Sequence, residues 1–144
     1  DVSGEGRFST QTRIFYQDSV AALIFFDIHN LPSLNSVGLW KKEINESVTT
    51  KSKELLPCLL IGNKCDLVKS FEWGKTKEEM DEICKENHYV GFFETSARNR
   101  VNIDESIDFI IKYIINHNIE PDIIDDSNTV SLSNEQHEKK SSGC

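Results

Sequence analysis

No apolar run in this chain reaches the roughly 20 consecutive residues that a bilayer-crossing helix needs. Basic charge is also scarce. Sixteen Lys and Arg stand against 24 Asp and Glu, a net charge of −8, which argues against nucleic acid as a partner. The four cysteines, Cys58, Cys65, Cys84 and Cys144, show no disulfide or zinc spacing, and a reduced, intracellular chain is the expectation. His29, His88, His117 and His137 are scattered and show no metal-ligand spacing. The 144 residues suffice for one domain with a modest core.

Three apolar segments are present, each ending in polar residues. The first, Val20 to Ile28, is nearly all apolar, as a strand buried on both faces should be. The second is Leu55 to Gly62, and the third is Tyr89 to Phe93. Helical patterns separate them. Leu31 to Val48 carries the start signal Pro32-Ser33 and places Leu34, Val37, Trp40 and Ile44 at helical spacing. Thr76-Lys77-Glu78-Glu79 is a capping box, with Met80, Ile83 and Cys84 on the apolar face behind it. Asn102 to Asn118 has a broad stripe of Ile103, Ile107, Ile110, Ile111, Ile114 and Ile115. Strands alternating with helices give an α/β fold with a parallel sheet.

In such sheets ligands sit beyond the carboxyl ends of the strands. Asn63-Lys64-Cys65-Asp66 follows the second strand at once. A carboxylate at Asp66 can accept two parallel hydrogen bonds, from the ring N–H and the exocyclic amine of guanine. Adenine cannot present that pair of donors, and charge-assisted bidentate contacts are the selective ones. Lys64 can lay its stem on the base, and Asn63 can tie the loop to its neighbours. The alternative is a plain polar strand-to-helix loop.

Asp1-Val2-Ser3-Gly4-Glu5-Gly6-Arg7-Phe8, Asn63-Lys64-Cys65-Asp66 and Glu94-Thr95-Ser96-Ala97-Arg98 resemble three ordered guanine-nucleotide motifs of the Ras superfamily. The family usually reads Asp-x-Ala-Gly-Gln-Glu, Asn-Lys-x-Asp and Ser-Ala-Lys. Thr12 to Tyr16, Trp40 and Phe93 to Ala97 resemble the Rab proteins of vesicle traffic within it. Lys85-Glu86-Asn87 followed by Gly91 to Ala97 is similar to the Rab subgroup of lysosome-related organelles. The resemblance implies the carboxyl-terminal part of a Ras-like P-loop NTPase fold. It places a partial G domain at residues 1–118 and a disordered tail at 119–144.

Site roles follow from that resemblance. Asp1 matches the aspartate of the Mg²⁺ shell, or is a chain-end acid that binds nothing. Gly4 offers its N–H to the γ-phosphate, or Ser3-Gly4 is a turn. Ala97 presents its N–H to the guanine carbonyl and Ser96 braces the loop, or Ser96 caps an ordinary turn. Arg98 replaces the usual Lys and can still stack on the base. Glu5 stands where the family has the Gln that orients the attacking water. An ionised Glu cannot donate to that water and adds charge beside the γ-phosphate.

No Gly-x-x-x-x-Gly-Lys-Ser/Thr occurs in the chain. That loop supplies the amides, the lysine and the Mg²⁺-binding hydroxyl that hold the phosphates. The expectation is therefore a piece of a longer GTPase, preceded by further strands and the phosphate loop, and inactive by itself.

Arg7, Phe8, Thr12, Arg13, Phe15 and Tyr16 match the second switch, which meets effectors, exchange factor and GTPase-activating protein. Phe15 and Tyr16 are alternatively helix packing. Trp40 reads as core, and Trp73 as an exposed contact or a loop anchor. Cys144, behind Lys139 and Lys140, is a prenylation candidate, or an incidental last residue. One lipid chain gives marginal, reversible anchoring. The implied function is a GTP/GDP switch on the cytoplasmic face of endosomal or lysosome-related membranes, cycling with cytosol. The alternative is a Rab-like interaction module without turnover or nucleotide.

Overall fold

The computed structural model describes Tyr16 and residues 18–48, 53–70 and 72–121. Strands β1 (Ala22–Asp27), β2 (Cys58–Asn63) and β3 (Tyr89–Glu94) form one sheet in that order, and both pairs are parallel. Helix α1 (Pro32–Ser47) connects β1 to the β2 side, α2 (Lys77–Glu86) lies between β2 and β3, and α3 (Ile103–Asn116) follows β3. The α/β architecture expected from alternating patterns is therefore present.

The strands differ in length from the apolar runs. Val20, Ala21 and Ile28 lie outside β1, and Leu55 to Pro57 lie outside β2. Pro57 has no N–H to give a ladder. It contributes only its carbonyl, which accepts from Ala22 N at 2.9 Å. β3 runs one residue further than Phe93, because Glu94 pairs with Gly62.

The helix starts follow local chemistry. At α2, Glu79 N–H donates to Thr76 Oγ1 (3.2 Å) and Thr76 N–H donates to Glu79 Oε2 (2.8 Å), the reciprocal capping box. At α1, Pro32 occupies the first turn, where a missing N–H costs nothing. Ser33 does not cap that helix. Its hydroxyl accepts from Asp27 N–H at 2.9 Å and so ties the helix start to the end of β1.

The two faces of the sheet are covered unequally. Ile24, Phe26, Cys58 and Leu60 pack with Val37 and Ile44 of α1 and with Met80 and Cys84 of α2. Tyr16 is buried in the same cluster, so helix packing is its role; Phe15 lies outside the described residues. Trp40 is half-buried against this core. On the other face Leu59, Ile61 and Ile110 form a small core under α3. The isoleucine stripe of α3 is only partly used. Ile110 is buried, whereas Ile107, Ile111 and Ile115 are exposed, as is Phe25 of β1 at 56%. The stripe spans a wider arc than one face of the neighbouring strands covers.

Candidate functional site

The register brings the strand ends into one row. Asp27 pairs with Asn63, and Gly62 pairs with Glu94. Gly62 permits close approach here: a Cβ at that position would lie 2.6 Å from the Ile28 side chain and 3.0 Å from Phe26. Lys64 then turns the chain sharply with φ at 70°, and Cys65–Leu67 form a single 3₁₀ turn.

Two loops interlock at this row. Thr95 N–H donates to Gly62 O (2.8 Å), and Cys65 N–H donates to Thr95 O (2.9 Å). Asn63 Oδ1 accepts from Ala97 N–H at 3.1 Å and from Thr95 Oγ1 at 3.4 Å. Ser96 Oγ donates to Asp66 Oδ1 at 2.5 Å and accepts from Asn99 N–H at 3.1 Å. The loop of Ser96 closes on itself through paired backbone bonds with Val101, both 3.1 Å. Asp66 is half-buried, and its other carboxylate oxygen carries no bond among the described residues.

Asn63, Lys64, Asp66, Ser96, Ala97 and Arg98 are thus all at one end of the sheet, and Asn63, Asp66, Ser96 and Ala97 are hydrogen-bonded together. Ala97 N–H already donates to Asn63. Asp1, Gly4, Glu5 and Cys144 lie outside the described residues.

Sequence reasoning missed Asp27. Its carboxylate takes Lys64 Nζ at 2.6 Å and His29 N–H at 2.9 Å. Burial pushes its carboxyl up, but the bonds from Lys64 and His29 and the nearby charge prevail and hold it below the ordinary value. The available signal was an acid at the exit of an apolar strand, beside Asn63. Trp73 is the loop anchor. It is buried and donates from Nε1 to Glu94 Oε1 at 2.6 Å, while Ser70 Oγ donates to the other oxygen. Burial, then the charges of Glu94 and Asp66, raise the Cys65 thiol above its ordinary value.

The Ras family profile matches residues 1–116. The chain belongs to the Ras family. Within it, the chain is of the Rab type by its relatives. Rab-32A of Dictyostelium discoideum is 37% identical over 120 residues, covering 83% of this chain and 54% of that protein. Human Rab-32 is 33% identical over 147 residues, covering this whole chain and 64% of that protein. Human Rab-7L1 is 33% identical over 144 residues, covering this whole chain and 69% of that protein. These relatives agree with the subgroup that Lys85 to Ala97 resembled. The chain spans about half the length of Rab-32A and about two thirds of the two human relatives.

Proposed function

We propose that this chain carries the base-reading part of a Rab-type switch that alternates between GTP and GDP in vesicle traffic. The observation that supports it most is the Asp66 carboxylate, held by Ser96 at 2.5 Å and carried on a loop that Asn63 joins to Ala97. A carboxylate offers about four lone-pair directions, so one bond from Ser96 leaves room for both guanine donors. The donor set therefore fits a guanine base. Lys64, held by Asp27, supplies its stem as a surface for the ring, and Arg98 stands on the adjoining loop. Ala97 N–H, now on Asn63, is the donor for the base carbonyl. When bound, the nucleotide supplies the phosphates and Mg²⁺ on which switching depends. Asp1 and Gly4 belong to that phosphate side, as does Glu5.

The second switch, from Arg7 to Phe15, is the proposed surface for effectors, the exchange factor and the GTPase-activating protein. A prenylated Cys144 is the proposed membrane link, on the cytoplasmic face of endosomal or lysosome-related membranes. Glu5 in place of Gln favours a second reading, an interaction module without turnover.

The test is a chimera joining the amino-terminal part of human Rab-32 ahead of this chain. Fluorescent GDP should bind it in the presence of Mg²⁺, and ADP should not compete. A chimera that binds neither GDP nor GTP contradicts the switch. Glu5→Gln in the same chimera should change single-turnover GTP hydrolysis with little change in GDP affinity. The 144-residue chain alone should release no phosphate from GTP.

A further inference from the structure

The opposite end of the sheet holds chemistry that the base-reading loops do not use. Lys41 of α1 is buried, with 7% of its surface exposed. Its ammonium sits 4.9 Å from the centre of the Tyr89 ring. No carboxylate pairs with it among the described residues. The Tyr89 ring face and a hydrogen bond to the Cys58 thiol offset only part of the cost of burying an ammonium without a counter-charge.

Lys41 and His88 line two cavities at this end. One, of about 180 Å³, is bounded by Leu55, Pro57, Val90, Tyr113 and His117. The other, of about 360 Å³, carries Glu46 and Glu86 as well as Lys42, so its charge is mixed. Two of the smaller one's lining rings, Tyr113 and His117, stack with centroids 4.0 Å apart and planes 19° apart. Glu54 also lines it, but its side chain is exposed and already engaged. The carbonyls of Tyr113, Ile114 and Ile115 accept from the N–H groups of His117, Ile119 and Asn118.

We propose that the smaller cavity is a second ligand site, for a small carboxylate with a flat apolar body. The carboxylate pairs with Lys41, and the ring lies between the Tyr113–His117 stack and the apolar wall of Leu55 and Val90. Its volume falls below the roughly 300–1,000 Å³ of sites for drug-sized ligands, so the ligand is limited to about one ring. The site is independent of the base-reading loops, so its failure leaves the switch assignment standing.

The test is an amide NMR titration of the dilute 144-residue chain with benzoate, with inorganic phosphate and with benzamidine. Benzoate should give saturable shifts at Lys41, Leu55, His88 and His117. Benzamidine, of the same shape and opposite charge, should give none, and phosphate should bind more weakly than benzoate. Lys41→Gln should weaken benzoate about tenfold, the loss of one charged contact, while Lys41→Arg stays within about threefold. His117→Ala, at an exposed position, should also weaken it. Absence of saturable benzoate shifts in the unmodified chain overturns the site whatever the variants do. Equal affinity in folded Lys41→Gln, or equal binding of benzamidine, overturns the role of Lys41.

Discussion

The two faces of one sheet differ in how far they are finished. Under α1 and α2, Cys58, Leu60 and Met80 are fully buried and the cluster extends to Tyr16 and Trp73. Under α3, the buried hydrophobic residues among those described are Leu59, Ile61 and Ile110, while Phe25, Ile107 and Ile111 stay open to solvent. The strands are about equally apolar on both sides. Among the described residues, the difference lies in the helices packed against them. Strand composition sets what can be buried, and the layer above decides what is.

That comparison breaks most readily at Met80. Met80→Ala should destabilise the chain by about 2–5 kcal/mol, the transfer loss plus a cavity in a closed core. Ile111→Ala, on the open face, should cost under about 0.5 kcal/mol. Urea denaturation of both variants checks this, and equal losses would erase the distinction between the faces.

The next effect is at Trp73, on the closed face. Trp73→Phe keeps the ring near Phe26 and Phe92 but removes the donor to buried Glu94. The loss should be about 1–3 kcal/mol, the cost of a buried acceptor left short of a partner. A loss no larger than that of Ile111→Ala would show that Glu94 finds another donor.

Thr76→Ala should cost about 1 kcal/mol, because the Glu79 amide loses its acceptor. The smallest effect belongs to Asp27 and Lys64. The folded carboxyl of Asp27 lies below its ordinary value of 3.8, so its contribution is complete above that value. The contribution disappears as pH falls through the lower folded value. Asp27→Asn should flatten this part of the stability–pH curve. The pair is partly exposed, and such pairs contribute about 0–1 kcal/mol.

What the sequence made legible was local. The Thr76–Glu79 box lies within four consecutive residues and needs no tertiary context. The strand cores were also readable, but not their ends, since Pro57 extends the apolar run without extending the ladder. Helical periodicity marked the isoleucines of α3 as one stripe. It could not say how much of that stripe the sheet covers. Trp73 stayed open between surface and anchor because its partner, Glu94, lies 21 residues further on. At the site, the residues proposed to read the base were legible as motifs. The tie from Lys64 to Asp27 was not, because it joins the ends of different strands, 37 residues apart.

Asp66 is the proposed reader of the guanine base. Its most direct test is Asp66→Asn in the Rab-32 chimera, titrated with GDP and with xanthosine diphosphate. An Asn cannot accept from both guanine donors, but its amide can donate to the extra carbonyl of xanthine. The account expects GDP binding to weaken by about 2–4 kcal/mol, roughly 30- to 1,000-fold, with xanthosine diphosphate now preferred. Unchanged GDP affinity would remove Asp66 from the site and contradict the account.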